Sequence, residues 1–141
     1  MTRVLDAPIE VVWKEWTEPA AFADWFGSPT GEVPLDTVSM DVRPGGAWRL
    51  TMLNGANRRR IEWRGTYLVV EPPTRLVFNI SDQPEGGFLD VVSVTLTDLG
   101  DRRTEMRVEQ RGGGLPPDQY LRAARGWGKF FDRIAERLAG G

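Results

Sequence analysis

Between Thr37 and Glu109 the chain repeats one pattern six times: a short run in which every second residue is apolar, ended by a turn. Val38, Met40 and Val42 alternate with Ser39, Asp41 and Arg43 before Pro44-Gly45-Gly46. Trp48, Leu50 and Met52 alternate with Arg49 and Thr51 up to Asn54-Gly55, a strong hairpin signal. Ile61, Trp63, Gly65 and Tyr67 follow, then Leu76, Phe78 and Ile80 after Pro72-Pro73. Val92, Val94 and Leu96 come next, and last Thr104, Met106 and Val108. A period of two sends alternate side chains to opposite faces of a strand. Each run therefore has one dry and one wet face, as in an antiparallel sheet covered on a single side. The wet face carries Arg49, Glu62, Arg64, Glu105, Arg107 and Glu109, charges that cross-strand pairing in solvent accounts for.

The dry face needs a cover, and one long candidate exists. In AARGWGKFFDRIAERL, Ala123, Trp127, Phe130, Phe131, Ile134 and Leu138 recur at the spacing of one helical face. With Trp127 at the centre of the stripe, Tyr120 and Ala124 join it. Gly126 and Gly128 fall about 100° to either side. Each glycine costs roughly 0.8–1 kcal/mol against alanine in a helix interior. The expectation is that bare shoulders let the helix sink into a curved sheet, with flanking backbone close on both sides.

Ahead of the strands, Val4 and Leu5 form a short first strand. A helix follows, with Pro8 at its first position, Glu10 at the positive end of the dipole, and Ile9, Val12, Trp13 and Trp16 on its buried stripe. Glu18-Pro19 restarts a second helix that turns Phe22, Trp25 and Phe26 to one side, until Gly27, Pro29, Gly31 and Pro34 break it into a loop. The order is β-α-α-β6-α, an α+β chain whose 141 residues are read as one domain, 1–141.

Two absences narrow the chemistry. The chain has no cysteine and no histidine, so disulfides, thiolate nucleophiles, the commonest general base and the commonest metal ligand are all missing. No cofactor, metal ligand set or catalytic constellation is expected. The net charge of −2 gives no general field for nucleic acid or an anionic membrane. No apolar run approaches the length of a membrane span, and Met1-Thr-Arg begins no signal peptide, so a cytoplasmic location is expected. Arg58-Arg59-Arg60 reads as the solvated flank of a hairpin.

The ordered signals are similar to a known family. RVLDAPIEVVWKEWTEPAAFADWFG resembles the opening of the START-like, or SRPBCC, superfamily, with Ala7-Pro8 at the helix start, Trp13 inside it, and Trp25-Phe26-Gly27 closing the second helix. The stretches RPGGAWRLTM, GTYLVVEPPTRLVF and VSVTLTDLGDRRTEMRVEQRG resemble its central strands, and GWGKFFDRIAERL its last helix. The branch matched best is named after the activator of a heat-shock chaperone ATPase. This resemblance covers nearly the whole chain and implies a helix-grip fold: a seven-stranded antiparallel sheet wrapped round the C-terminal helix, often with a deep apolar cavity between them.

The candidate cavity wall follows from alternation and the helix stripe: Trp48, Leu50, Met52, Trp63, Tyr67, Phe78, Val92, Val94, Met106, Tyr120, Ala123, Trp127 and Phe131. Trp25 and Phe26 stand either at its rim or as a plug that seals the sheet edge. Six tryptophans in so short a chain exceed what packing asks for, and Trp and Tyr line ligand pockets because one end is apolar and the other polar. Inward polar groups are few: Tyr67, Thr104, Gln110 and Tyr120. The leading expectation is a non-enzymatic domain that binds a small apolar or aromatic molecule between sheet and helix. A cavity enzyme of cyclase, aromatase or hydrolase type, which some relatives in the superfamily are, and a chaperone-linked interaction module stay open, as does a homodimer.

Overall fold

The computed structural model describes residues 1–82, 90–112 and 117–139, apart from the side chains of Pro117, Gln119 and Tyr120. The chain runs β1 (Thr2–Leu5), α1 (Ile9–Thr17), α2 (Pro19–Trp25), β2 (Gly31–Glu32), β3 (Ser39–Met40), β4 (Ala47–Asn54), β5 (Arg59–Glu71), β6 (Arg75–Ile80), β7 (Asp90–Gly100), β8 (Arg103–Arg111) and α3 (Pro117–Ala139), with a 3-10 turn over Leu35–Thr37. The strands form one antiparallel sheet in the order β1-β8-β7-β6-β5-β4-β2, with β3 also on β4. With α3 against its inner face, this is the α+β helix-grip architecture. Eight strands stand where seven were expected. The eighth is β2, a two-residue pairing of Gly31 and Glu32 with Asn54 and Leu53 inside the Gly/Pro loop.

The sheet curves because β5 serves two neighbours. Residues 59–66 pair with β4, residues 67–71 with β6, and the register shifts between Tyr67 and Val69, which turns Leu68 out to solvent. Gly65 sits just before this change of partner. A Cβ there would lie 1.7 Å from the Asn79 carbonyl oxygen, so only glycine lets the two backbones come this close. The first of the six runs is shorter than its pattern. Only Ser39 and Met40 pair, because the chain folds back so tightly that a Cβ on Gly46 would lie 1.9 Å from the Asp41 carbonyl oxygen.

The inner face is dry as the alternation requires: Trp48, Leu50, Leu76, Phe78, Val92, Val94, Leu96, Met106 and Val108 are all buried. Removal of each such side chain from water contributes about 1.5–3 kcal/mol before entropy is counted. From the helices, Ile9, Val12, Trp16, Phe22, Trp25, Trp127, Phe131 and Ile134 join the same core. Pro8 turns out to be the N-cap of α1, one place before the first helical residue.

The expectation for the helix shoulders is overturned. A Cβ on Gly126 or Gly128 would meet nothing within 4 Å among the described residues, so no backbone presses on either one. Side chains tie α3 down instead. Arg137 donates from Nε to Glu15 Oε1 at 2.7 Å and also to Asp24, and Arg133 donates from Nη2 to Asp24 Oδ1 at 3.0 Å. Arg3 reaches Asp132 at 2.7 Å from the other flank. The last turns of α3 are thereby bound to α1, α2 and β1.

Candidate functional site

At the end covered by α1 and α2, the space between sheet and α3 is filled with rings. Trp16 lies at its centre, with ring centroids 4.8 Å from Trp25, 5.9 Å from Trp127, 6.3 Å from Phe78 and 6.4 Å from Phe131. Phe78 continues to Trp48 at 5.6 Å and to Tyr67 at 6.2 Å, both near edge-to-face. Phe26 stacks on Phe22 at 5.0 Å and touches Trp63 at 5.6 Å and Phe130 at 5.2 Å. Trp25 and Phe26 are both fully buried, engaged on several sides by rings.

The anticipated wall residues divide accordingly. Trp25, Phe26, Trp48, Tyr67, Phe78, Trp127 and Phe131 belong to this ring network, and Trp63 joins it through Phe26. Leu50, Met52, Val92, Val94 and Met106 are buried in the same core. Ala123 stands apart, half-buried on the first half of α3. The side chain of Tyr120 lies outside the described residues.

Most of the polar atoms in this apolar lining have partners. Trp16 Nε1 points at Met106 Sδ at 3.3 Å, Trp25 Nε1 donates to the Glu15 carbonyl at 2.8 Å, and Trp48 Nε1 to the Asn79 carbonyl at 3.1 Å. Thr104, an inward polar candidate, is spent on the Ala7 carbonyl at 2.8 Å. Trp63 differs: its buried indole N–H has no hydrogen-bond partner among the described residues. Burial, and behind it the negative charge of Asp41, push the Tyr67 phenol well above its ordinary value. Tyr67 therefore stays neutral as either donor or acceptor at any ordinary pH.

At the other end of the groove the lining turns polar. Trp127 donates its indole N–H to Gln110 Oε1 at 2.8 Å, and Gln110 Nε2 donates to Asp90 Oδ2 at 2.7 Å. Asp90 opens β7 and is 7 % exposed, an inward carboxylate on the same face as Val92 and Val94. Gly112 makes room for it, since a Cβ there would lie 1.9 Å from Asp90 Oδ1. Beside this chain a recess of about 370 Å³ opens between α3 and the end of β8, lined by Met1, Val108, Gln110, Ala123, Ala124 and Trp127 among others. That volume lies within the range of small-ligand sites.

Sequence reasoning singled out Gln110 as inward and polar but missed Asp90, which lies one alternation step before Val92. Extending the run Val92-Val94-Leu96 backwards by two would have found it. Trp16 was placed on a helix stripe, and nothing local marks it as the hub of the ring network. A second recess, about 720 Å³, lies between α2 and α3 and is lined by Asp24, Glu32, Lys129, Asp132, Arg133 and Glu136 with Pro29 and Leu35 among others. Its charges are mixed in sign, and Arg133 is committed to Asp24 and Glu136. Among the described residues no group of acidic side chains could hold a metal ion, and no helix is long and apolar enough to cross a membrane.

Comparison with known proteins bears on the family and the fold. The family described as Activator of Hsp90 ATPase homolog 1-like protein matches residues 6–139. Protein CV1439 from Chromobacterium violaceum superposes with a TM-score of 0.83 at 24% identity, over 98% of this chain and 94% of that one. A protein from Silicibacter pomeroyi that carries the family's name superposes with a TM-score of 0.79 at 22% identity, over 99% and 95%. At such identities the likeness shows the fold alone. DynU16, a protein in the dynemicin biosynthetic locus, superposes with a TM-score of 0.77 at 27% identity; the match takes in 99% of this chain but 46% of that one. Among curated proteins, none matches significantly.

Proposed function

The chain belongs to the family of Activator of Hsp90 ATPase homolog 1-like proteins, and from that premise we propose that it binds a small apolar or aromatic molecule in the groove between its sheet and α3. The observation that carries this reading is the change of lining along the groove. One end is closed by rings; the other combines small residues of α3, a recess, and the aligned chain Trp127–Gln110–Asp90. A ligand would lay its apolar body against Val108, Ala123, Ala124 and Trp127. Burial of about 200 Å² of its surface would contribute roughly 5 kcal/mol.

A thermal-shift screen with aromatic and apolar metabolites tests the reading. Hits should raise the melting temperature and quench tryptophan fluorescence, and Ala124→Trp, which fills the recess, should abolish both effects without unfolding the protein. A flat screen, or hits that ignore Ala124→Trp, would remove the groove from consideration.

A second reading, a cavity enzyme of cyclase or hydrolase type, is favoured by one observation: Asp90 is a buried carboxylate on the groove face, oriented by Gln110. It predicts turnover of a bound ligand that disappears in Asp90→Asn while binding persists. The family's name speaks of a chaperone ATPase, which is a statement about its namesake. Capture by such a chaperone together with an empty ligand screen would put that role in place of the present one.

A further inference from the structure

Without cysteine, the chain carries its sulfur in four methionines, Met1, Met40, Met52 and Met106. Two of these belong to the core, in different settings. Met106 on β8 is fully buried, and its sulfur accepts the Trp16 indole N–H at 3.3 Å. Met52 on β4 is 5 % exposed and packs against the loop that carries β2. A turn in that loop is closed by the Gly31 N–H, which donates to the Gly27 carbonyl at 2.7 Å. A Cβ built on Gly27 would lie 2.7 Å from Met52 Cε and 3.2 Å from Sδ; one on Gly31 would lie 3.0 Å from Cγ and 3.1 Å from Sδ. The thioether occupies the room that the two glycines leave. Its cover is a short element. β2 pairs with β4 through two residues, Gly55 donates its N–H to the Thr30 carbonyl at 2.9 Å, and the Arg58–Glu32 ion pair is exposed. Elements with so few paired residues open at low cost. Gly31 also borders the recess of about 720 Å³ between α2 and α3, so an opened turn leads to solvent.

We propose that Met52 is an oxidation site that acts as a latch: a hydroperoxide converts its thioether to the sulfoxide, and the sulfoxide keeps residues 27–32 off β4. The sulfur lone pair attacks one peroxide oxygen and the O–O bond breaks. The departing oxygen leaves with the bonding pair and takes the proton of the transferred hydroxyl. Sulfur is thereby oxidised to the sulfoxide and the peroxide reduced to water or an alcohol. The product is a polar acceptor in a place shaped for an apolar group. Two glycine backbones already touch the sulfur, so the added oxygen either displaces the turn or stays buried at the cost of a desolvated polar group. Met106 is held back from the same reaction by full burial and by the Trp16 N–H on its sulfur. Reduction by a thiol-dependent methionine sulfoxide reductase closes the latch again. The device is separate from the groove and from what the groove binds.

The test treats folded protein with hydrogen peroxide and follows each methionine by peptide mass. Met52 should gain oxygen well before Met106. In the oxidised protein the amides of Gly31 and Gly55, whose bonds close the turn and tie it to β4, should exchange hydrogen faster, while those of β7 and β8 stay as they were. The melting temperature should fall by several degrees and recover with methionine sulfoxide reductase and dithiothreitol. Met52→Leu, a swap close in volume, should fold and melt alike with and without peroxide, although Met1 and Met40 remain to be oxidised. Should that exchange impair folding, hydrogen exchange in wild-type protein before oxidation, after it and after repair reads the same event. Oxidation of Met106 as fast as Met52, or a Met52 sulfoxide that leaves the Gly31 and Gly55 amides unchanged, overturns the latch.

Discussion

Trp127 on α3 donates its indole N–H to Gln110 on β8 at 2.8 Å. An indole can only donate, so the bond fixes which end of the Gln110 amide faces the helix. The other end, an N–H₂, is left to donate to the buried carboxylate of Asp90 at 2.7 Å. One side chain thus couples the first half of the helix to two strands, at the end of the groove where the rings stop.

Replacing Gln110 by leucine strands the Trp127 N–H and removes a donor from a buried carboxylate. Gln110→Leu should cost about 1–3 kcal/mol, the penalty of leaving buried polar groups short of partners. Trp127→Phe keeps the ring on Phe131, now 5.9 Å away, and so loses less of the packing. Urea denaturation ranks the two against wild type. A Gln110→Leu protein as stable as wild type would mean that the chain of hydrogen bonds contributes nothing.

Asp24 holds the C-terminal half of α3. Partial burial pushes its carboxyl up, but hydrogen bonds from Arg133 and Arg137 outweigh that and hold it below its ordinary value of 3.8. A depressed folded-state pKa adds stability that is present above the unfolded value and disappears as pH falls through the folded one. The side chain is slightly more than a third exposed, so solvent screening limits the effect to about 0.5–1 kcal/mol. Asp24→Asn should therefore destabilise the protein by that amount at neutral pH and by less at an acid pH below the ordinary value of 3.8, as the wild-type carboxyl loses its charge. Equal differences at both pH values would dismiss the ion pairs as a source of stability.

Tyr67 moves the other way. Its burial, reinforced by Asp41, raises the phenol far above its ordinary value of 10.0. The neutral form is favoured in the folded state, so this stability is complete below the unfolded pKa and is lost as pH rises above it. In a near-ultraviolet alkaline titration Tyr67 should stay protonated until the protein unfolds, and Tyr67→Phe should remove that late phase. A phenol that titrates reversibly near its ordinary value in folded protein would show that the groove admits water freely at this point.

The architecture was legible in the alternating runs because their period is local and strong. Each of the six corresponds to paired strand residues. What the pattern did not carry was pairing through loops: β2 pairs through only two residues, and no side-chain period marks it. The change of partner along β5 was hidden as well, since Ile61 to Tyr67 alternates without a break while the ladder beside it changes from β4 to β6. Between sheet and α3, the burial of the apolar side chains was readable from spacing. Asp90 was not, because an aspartate is a poor strand former and reads as part of the preceding polar connection. The ties from Arg137 to Glu15 and Asp24 join residues more than a hundred positions apart, beyond any local signal.

Glycines separate the two kinds of inference most sharply. Gly126 and Gly128 invited a reading of close backbone approach, yet a Cβ on either meets open space among the described residues. Gly65 was only one beat in an alternating run, yet a Cβ there would lie 1.7 Å from the Asn79 carbonyl oxygen and 2.5 Å from Trp48 Nε1. The helical pair should accept alanine with a gain of about 0.5–1 kcal/mol each, since alanine is the better helix former and narrows the unfolded ensemble. Gly65→Ala has no such freedom, because the atom it meets belongs to backbone in a neighbouring strand. It should cost more than ~2 kcal/mol, in the range of overpacked sites, and weaken the Trp48–Asn79 bond beside it. Thermal melts of the three variants decide the matter. Should Gly126→Ala or Gly128→Ala destabilise the fold, something does press on the shoulders of α3; should Gly65→Ala be neutral, the bend in β5 does not depend on the missing side chain.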